Sequence, residues 1–217
     1  MNILILFIII TAIISFVAFN NPGITEKYKF SVGAILHRKE YIRLLSSGFL
    51  HADIMHLVFN MMTLYFFGPI VIQTFGNIGF AIIYLGSILL GNFLSLYIYQ
   101  KQPWYSAVGA SGGVSGILFA SIAMIPDLGI YIFFIPIPVK GYLFGLLYFG
   151  YSVYMMMNPR QHDNIGHAAH LGGAFFGLVY AIAVAPDTAM HNALYLGIMS
   201  LPLIYLGYEI FVRKRIG

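Results

Sequence analysis

The chain has 217 residues, 60% of them hydrophobic and only 8% charged, against roughly 25% charged in an average soluble domain. That balance excludes an ordinary water-soluble fold and marks an integral membrane protein. The net charge of +4 is small and scattered, which argues against nucleic acid as a partner, and the absence of cysteine excludes disulfides and thiolate metal sites.

Apolar stretches of about 17 to 25 residues, the length that crosses a hydrocarbon core, fall at about 2–19, 54–74, 78–99, 110–126, 139–157, 167–185 and 192–212. Seven helical spans in one polytopic membrane domain covering residues 1–217 are therefore expected. The first stretch lacks a basic n-region and a small-residue cleavage site, so it is expected to be retained as a span. The connection from Asn20 to Asp53 mixes apolar residues with Lys27, Lys29, Arg38, Lys39, Glu40 and Arg43. Such a segment is expected to lie on or partly in the membrane surface.

The next breaks are short, at Phe75-Gly76-Asn77 and from Gln100 to Tyr105. Pro126-Asp127 ends the fourth stretch, and Leu128 to Pro138 is too short to cross, so it is expected to skim the surface. Asn158 to Asn164 is the most polar loop, directly before the sixth stretch. After the seventh, Arg213-Lys214-Arg215 reads as a membrane-edge anchor. Counting alternate sides, Lys140 alone lies opposite the other ten basic residues, and the charge-bias rule makes the crowded side cytoplasmic.

Polar groups at membrane depth cost several kcal/mol if left unpaired, so those within the spans ask for a functional reason. His56 and Asn60, at i and i+4, share a face of the second stretch, with His51 near its mouth. They suit either the donation of hydrogen bonds to an oxyanion or an interhelical polar clamp. Ser111 opens the fourth stretch among Gly109, Gly112, Gly113 and Gly116. Helix-start N–H groups there can hold developing negative charge, although small residues also serve simple helix packing. His170 opens the sixth stretch, and on an ideal helix it shares a face with Gly173, Gly177 and Ala181. A glycine-floored face lets the two helices approach until a neutral imidazole can take a proton from a serine hydroxyl.

On Arg43, His51-Ala-Asp-Ile-Met-His56-Leu-Val-Phe-Asn60, Gly109-Ala-Ser-Gly112 and Ala169-His-Leu-Gly-Gly173, the chain resembles the rhomboid intramembrane serine proteases over about residues 40–185. The resemblance implies an all-α membrane protein: a six-helix transmembrane bundle, here with an additional C-terminal seventh helix at about 192–212. It also implies a Ser111/His170 dyad without a third carboxylate, oxyanion stabilisation by His56 and Asn60, no cofactor and no metal. The partners it implies are membrane-protein substrates, single-span or multi-span, cleaved in the lipid bilayer. The expected location is the cell membrane. The family likeness puts the site at the extracytoplasmic surface, against the charge count, and we follow the likeness because the first connection is expected to be membrane-embedded.

Ser115 stands in a similar Gly-Val-Ser-Gly frame and, with Phe119 four residues on, matches the family's habit of an aromatic four residues after the nucleophile. The Gly-Ala-Ser-Gly word and the position at the helix start favour Ser111, with Ser115 the alternative. If Ser111 is the nucleophile, Ser115 occupies the aromatic's slot and the packing of His170 must come from elsewhere. His167 is expected to make a helix-end hydrogen bond, Asp163 to be solvated, His162 and His191 to lie in loops, and Tyr151 to Met157 to be lipid-facing or packing surface. The competing function is a catalytically silent relative that binds transmembrane helices. Retention of the complete Ser, His and Asn set argues against it, as the lack of internal repeats does against a transporter and the lack of His-Glu-x-x-His against a metalloprotease.

Overall fold

The computed structural model describes residues 2–132, 136–160, 163 and 165–214; His162, Asn164, Arg215 and part of the connection before Pro138 lie outside them. The chain is mostly helical. The first helix, α1 (Ile3–Phe19), is capped by Asn2, whose side chain accepts from Leu4 N–H. Three short helices follow in the first connection: α2 (Pro22–Tyr28), α3 (Val32–Arg38) and α4 (Arg43–Ser46). Next comes α5 (Ile54–Tyr99), capped by Asp53, which accepts from His56 N–H at 2.8 Å. Five more α-helices follow among the described residues: α6 (Ser111–Met124), α7 (Gly141–Met157), α8 (His167–Val184), α9 (Pro186–His191) and α10 (Ala193–Phe211).

Among the described residues α5, α8 and α10 are long and apolar enough to cross a membrane, and α6 is a shorter apolar helix. At 46 residues α5 would be about twice the length needed to cross. Gly76 breaks it, with φ 71° and ψ 179°, a conformation that side chains on Cβ all but forbid. Two arms of near-equal length result, as expected from the break read at 75–77. The α9 helix contains His191, which the sequence placed in a loop: Pro186 at its first turn fixes a helical φ and has no N–H to leave unpaired.

The first connection is a folded cap. Phe30, Val32, Ile35 and Leu44 form its own small core. Arg43, 5% exposed, ties it together: Nε donates to Glu40 at 2.6 Å, and an NH1 proton each goes to the carbonyls of Glu26 and Lys29. The strand β1 (Phe30–Ser31) pairs antiparallel with β2 (Ser106–Ala107), joining this cap to the segment that leads into α6. At the two ends of the connection around Leu128 to Pro138, β3 (Gly129–Ile130) pairs antiparallel with β4 (Val139–Lys140).

The main core gathers where α5, α6 and α8 meet, around Phe80, Ile83, Tyr84, Ile117, Phe119, Leu171 and Ala174. Large apolar side chains on the outside, such as Ile13, Phe16, Phe66, Phe175, Val179 and Ile204, face away from it, as lipid contact requires. Inside, glycine sets the spacing. A Cβ on Gly173 would run into the Gly112 carbonyl, one on Gly177 into the Gly116 carbonyl, and one on Gly91 into the Ala169 carbonyl. The glycine face read on the sixth stretch thus lies directly against the backbone of α6.

Two substitutions test these points. Gly76→Ala meets nothing within 4 Å, yet it should cost about 1–3 kcal/mol through backbone strain alone, seen as a lower unfolding midpoint in detergent. Gly173→Ala is opposed by backbone that cannot swing aside, and overpacking of about 1–3 kcal/mol should lower the same midpoint.

Candidate active site

The turn before α6 is held from both sides. Gly109 N–H donates to the Ser47 carbonyl at 3.0 Å, and Ala110 N–H donates to His51 Nε2 at 3.3 Å. Gly109 has φ 140°, and a Cβ there would stand 2.7 Å from the His56 ring. Glycine is therefore required twice over, by backbone angle and by the nearness of the imidazole. This turn delivers Ser111 as the first residue of α6, where N–H groups have no intrahelical partner.

His170 lies in the first turn of α8, and its Nε2 is 2.7 Å from Ser111 Oγ. With the imidazole neutral and its proton on Nδ1, the hydroxyl donates to Nε2, the arrangement in which a base can accept that proton. Ser115 is engaged elsewhere: it lies one turn deeper, 6% exposed, with Oγ 3.0 Å from Tyr148 Oη. Of the two candidate serines, Ser111 is the one joined to the histidine.

His56 lies against the same turn, with Gly109 and Ser111 Oγ on its near side. Asn60 is buried one helical turn further on, and its amide donates to the His56 carbonyl at 3.1 Å. The structure thus gathers Ser111, His170 and His56, while Asn60 bonds its own helix.

His51 has a larger part than its place at the mouth of α5 suggested. It is 2% exposed, and because Nε2 accepts from Ala110, Nδ1 carries the proton and donates to Ser15 Oγ at 2.9 Å. Ser15 in turn donates to the Phe49 carbonyl at 3.0 Å. A hydrogen-bonded chain therefore runs from α1 to the start of α6. Sequence reasoning missed Ser15; the signal for it was a pair of hydroxyl residues, Thr11 and Ser15, one turn apart in an otherwise apolar helix, and both are fully buried.

Asp163 departs from its expected solvation. Its side chain is 13% exposed and its Oδ2 lies 3.0 Å from His167 Nε2, so it serves the helix start, as the helix-end bond expected of His167 requires, and not His170. The packing partner of His170 also went unread. The Tyr148 ring from α7 stacks at 22° to the imidazole, with centroids 6.3 Å apart. Its sequence signal was indirect, namely the missing aromatic at position 115.

Fold and site together define a helical multi-pass membrane protein that carries a serine–histidine pair at the starts of two apposed helices. The Rhomboid domain family model matches residues 38–187. The chain belongs to the rhomboid family. It is 33% identical over 147 residues to RHOMBOID-like protein 12, mitochondrial, of Arabidopsis thaliana, covering 60% of this chain and 43% of that protein. It is 29% identical over 161 residues to Rhomboid protein 1, mitochondrial, of Saccharomyces cerevisiae, covering 70% and 46%. To the human Presenilin-associated rhomboid-like protein, mitochondrial, it is 30% identical over 140 residues, covering 63% and 36%. The chain thus spans less than half the length of these relatives. Their names place them in mitochondria, which overturns the expectation of a cell-membrane location. Hydropathy reports that a chain spans a membrane without identifying the membrane, so nothing in the spans themselves could have supported that choice.

His51 also gives the site a pH dependence. Burial first, and then the neighbouring His56, push its pKa from 6.5 down to about 3, against an opposing pull from Asp53. Between those two values the unfolded chain binds a proton that the folded one refuses, so this stability is complete above 6.5 and is lost as pH falls towards 3. Unfolding midpoints followed across that range should fall with acidification in the wild type. They should fall less in His51→Gln, whose amide keeps an acceptor and a donor without titrating.

Proposed function

We propose that the protein is an intramembrane serine endopeptidase that cleaves transmembrane segments of membrane-protein substrates. The 2.7 Å approach of Ser111 Oγ to His170 Nε2 is the observation that carries this reading. Ser111 Oγ attacks the scissile carbonyl while its proton passes to His170 Nε2. The imidazolium then gives that proton to the leaving amine, and water later releases the acyl group from Ser111.

The oxyanion of the tetrahedral intermediate develops beside the first N–H groups of α6, with the His56 imidazole across the Gly109 turn. Asn60 joins that set once its amide turns from the His56 carbonyl towards the oxyanion. A dyad without a third carboxylate fits the engagement of Asp163 with His167. The fold that accompanies this reading is a six-helix core with α10 as an additional seventh span. A catalytically silent helix-binding protein has no use for a partly buried proton-sharing contact between two helices, and the endopeptidase is preferred on that ground.

Incubation of the purified protein with a fluorophosphonate and with a panel of single-span membrane proteins tests the proposal. Wild type should be labelled at Ser111 and should cleave at least one substrate, with activity retained in a strong chelator. Ser111→Ala should abolish labelling and lower cleavage by about 10⁴-fold or more, and His56→Ala or Asn60→Ala should lower it by about 10²–10³-fold. Activity retained in Ser111→Ala but lost in Ser115→Ala would move the nucleophile one turn deeper.

A further inference from the structure

An imidazole turns readily about its terminal torsion, which is broad and roughly two-fold. A hydrogen bond from Nε2 to one serine hydroxyl fixes a distance but leaves the ring face free to swing. The face of His170 is met by Tyr148, whose ring lies at 22° to it.

Tyr148 is itself held in place from α6. Its hydroxyl pairs with Ser115 Oγ at 3.0 Å, and its ring meets Phe119 with centroids 5.3 Å apart. The Ser115–Tyr148 bond gives both hydroxyls a partner at a depth where an unpaired one would be costly. Ser111 and Ser115 stand one turn apart on α6, so one helix fixes both the hydroxyl that His170 must reach and the ring that steadies it.

The ring, however, comes from α7. That helix meets α6 through Phe149, stacked on Phe119 at 4.2 Å, and packs on α8 and α10 as well, with the Met199 thioether of α10 against Gly145. Phe149 follows Tyr148 directly in the chain, so a tilt of α7 that parts it from Phe119 also withdraws the Tyr148 ring from His170. Resting on the endopeptidase reading above, we propose that Tyr148 is a positioning residue for His170, and that the Ser111–His170 pair is set for reaction only while α7 is docked on α6 through the Ser115–Tyr148 bond.

The test uses the full chain in detergent and in lipid vesicles, with two readouts: the rate of fluorophosphonate labelling at Ser111, and kcat and KM for a cleaved single-span protein. Tyr148→Leu removes the ring and should slow labelling about tenfold to a hundredfold, the scale of a small misplacement of a reacting group, with kcat falling and KM unchanged. Tyr148→Phe and Ser115→Ala each remove one side of the hydroxyl pair and should slow labelling less, and by equal amounts. Tyr148→Leu combined with Ser115→Phe moves an aromatic onto α6 and should recover much of the lost rate, which a merely structural defect would not do.

Wild-type labelling rates in Tyr148→Leu, or an effect confined to KM, would overturn the proposal. If Tyr148→Leu does not fold, wild-type rates in both single-hydroxyl variants would overturn it instead. Absence of labelling and cleavage in the wild type would sink the endopeptidase reading itself, which separates the two failures.

Discussion

Close approach of backbones, without side chains between them, is the condition on which this structure rests. The core packs α8 so tightly against α6 and the second arm of α5 that carbonyls occupy the places where Cβ atoms would otherwise be. In a membrane, helices gain little from excluding lipid from each other, and close packing has to supply the attraction. Here that packing also sets the separation at which a serine on one helix start and a histidine on another share a proton. Gly173 and Gly177 on α8, and Gly112 and Gly116 on α6, therefore act on both assembly and chemistry.

A second requirement is that the turn entering α6 be immobile. The Ser47 carbonyl and the His51 ring hold the backbone of Gly109 and Ala110, and Ser47 is itself bonded by Asn92 from α5 at 3.0 Å. Arg43 organises the cap from which Ser47 and His51 project. The long first connection thus contributes to the site by fixing the amides that precede Ser111. Among the charged residues of that connection, Arg43 is the one turned inward to do so.

Much of this was legible in the sequence because membrane spans are long, apolar and separated by residues with plain conformational preferences. Gly76 marked the division of α5, and the shared face of His170, Gly173 and Gly177 followed from helical periodicity alone. Contacts between distant segments carried no such periodic signal. His51 could be placed near the mouth of α5, but its bonds to Ser15 on α1 and to Ala110 depend on a tertiary arrangement that no local pattern encodes. Tyr148 belongs to a helix dense in aromatics, where composition cannot tell the one ring that faces inward from those that face lipid. Asp163 was misread for a related reason: a polar loop looks solvated until its neighbours are known, and His167 lies close enough to claim its carboxylate.

The helix α10 lies against α7, where Gly145 leaves a notch filled by the buried Met199 thioether. Asn192, just before α10, donates to the carbonyls of Ala123 and Met124 at the far end of α6. The helix α10 is thereby pinned to the frame at one end and braces the first half of α7, where Tyr142 meets Tyr195 and Gly145 meets Met199, like a buttress with a soft, deformable facing. Thioether side chains adapt their shape at small energetic cost, so the brace yields by degrees under load. The surface that α7 meets there is thus supplied by a residue more than fifty positions away in the chain from Tyr148.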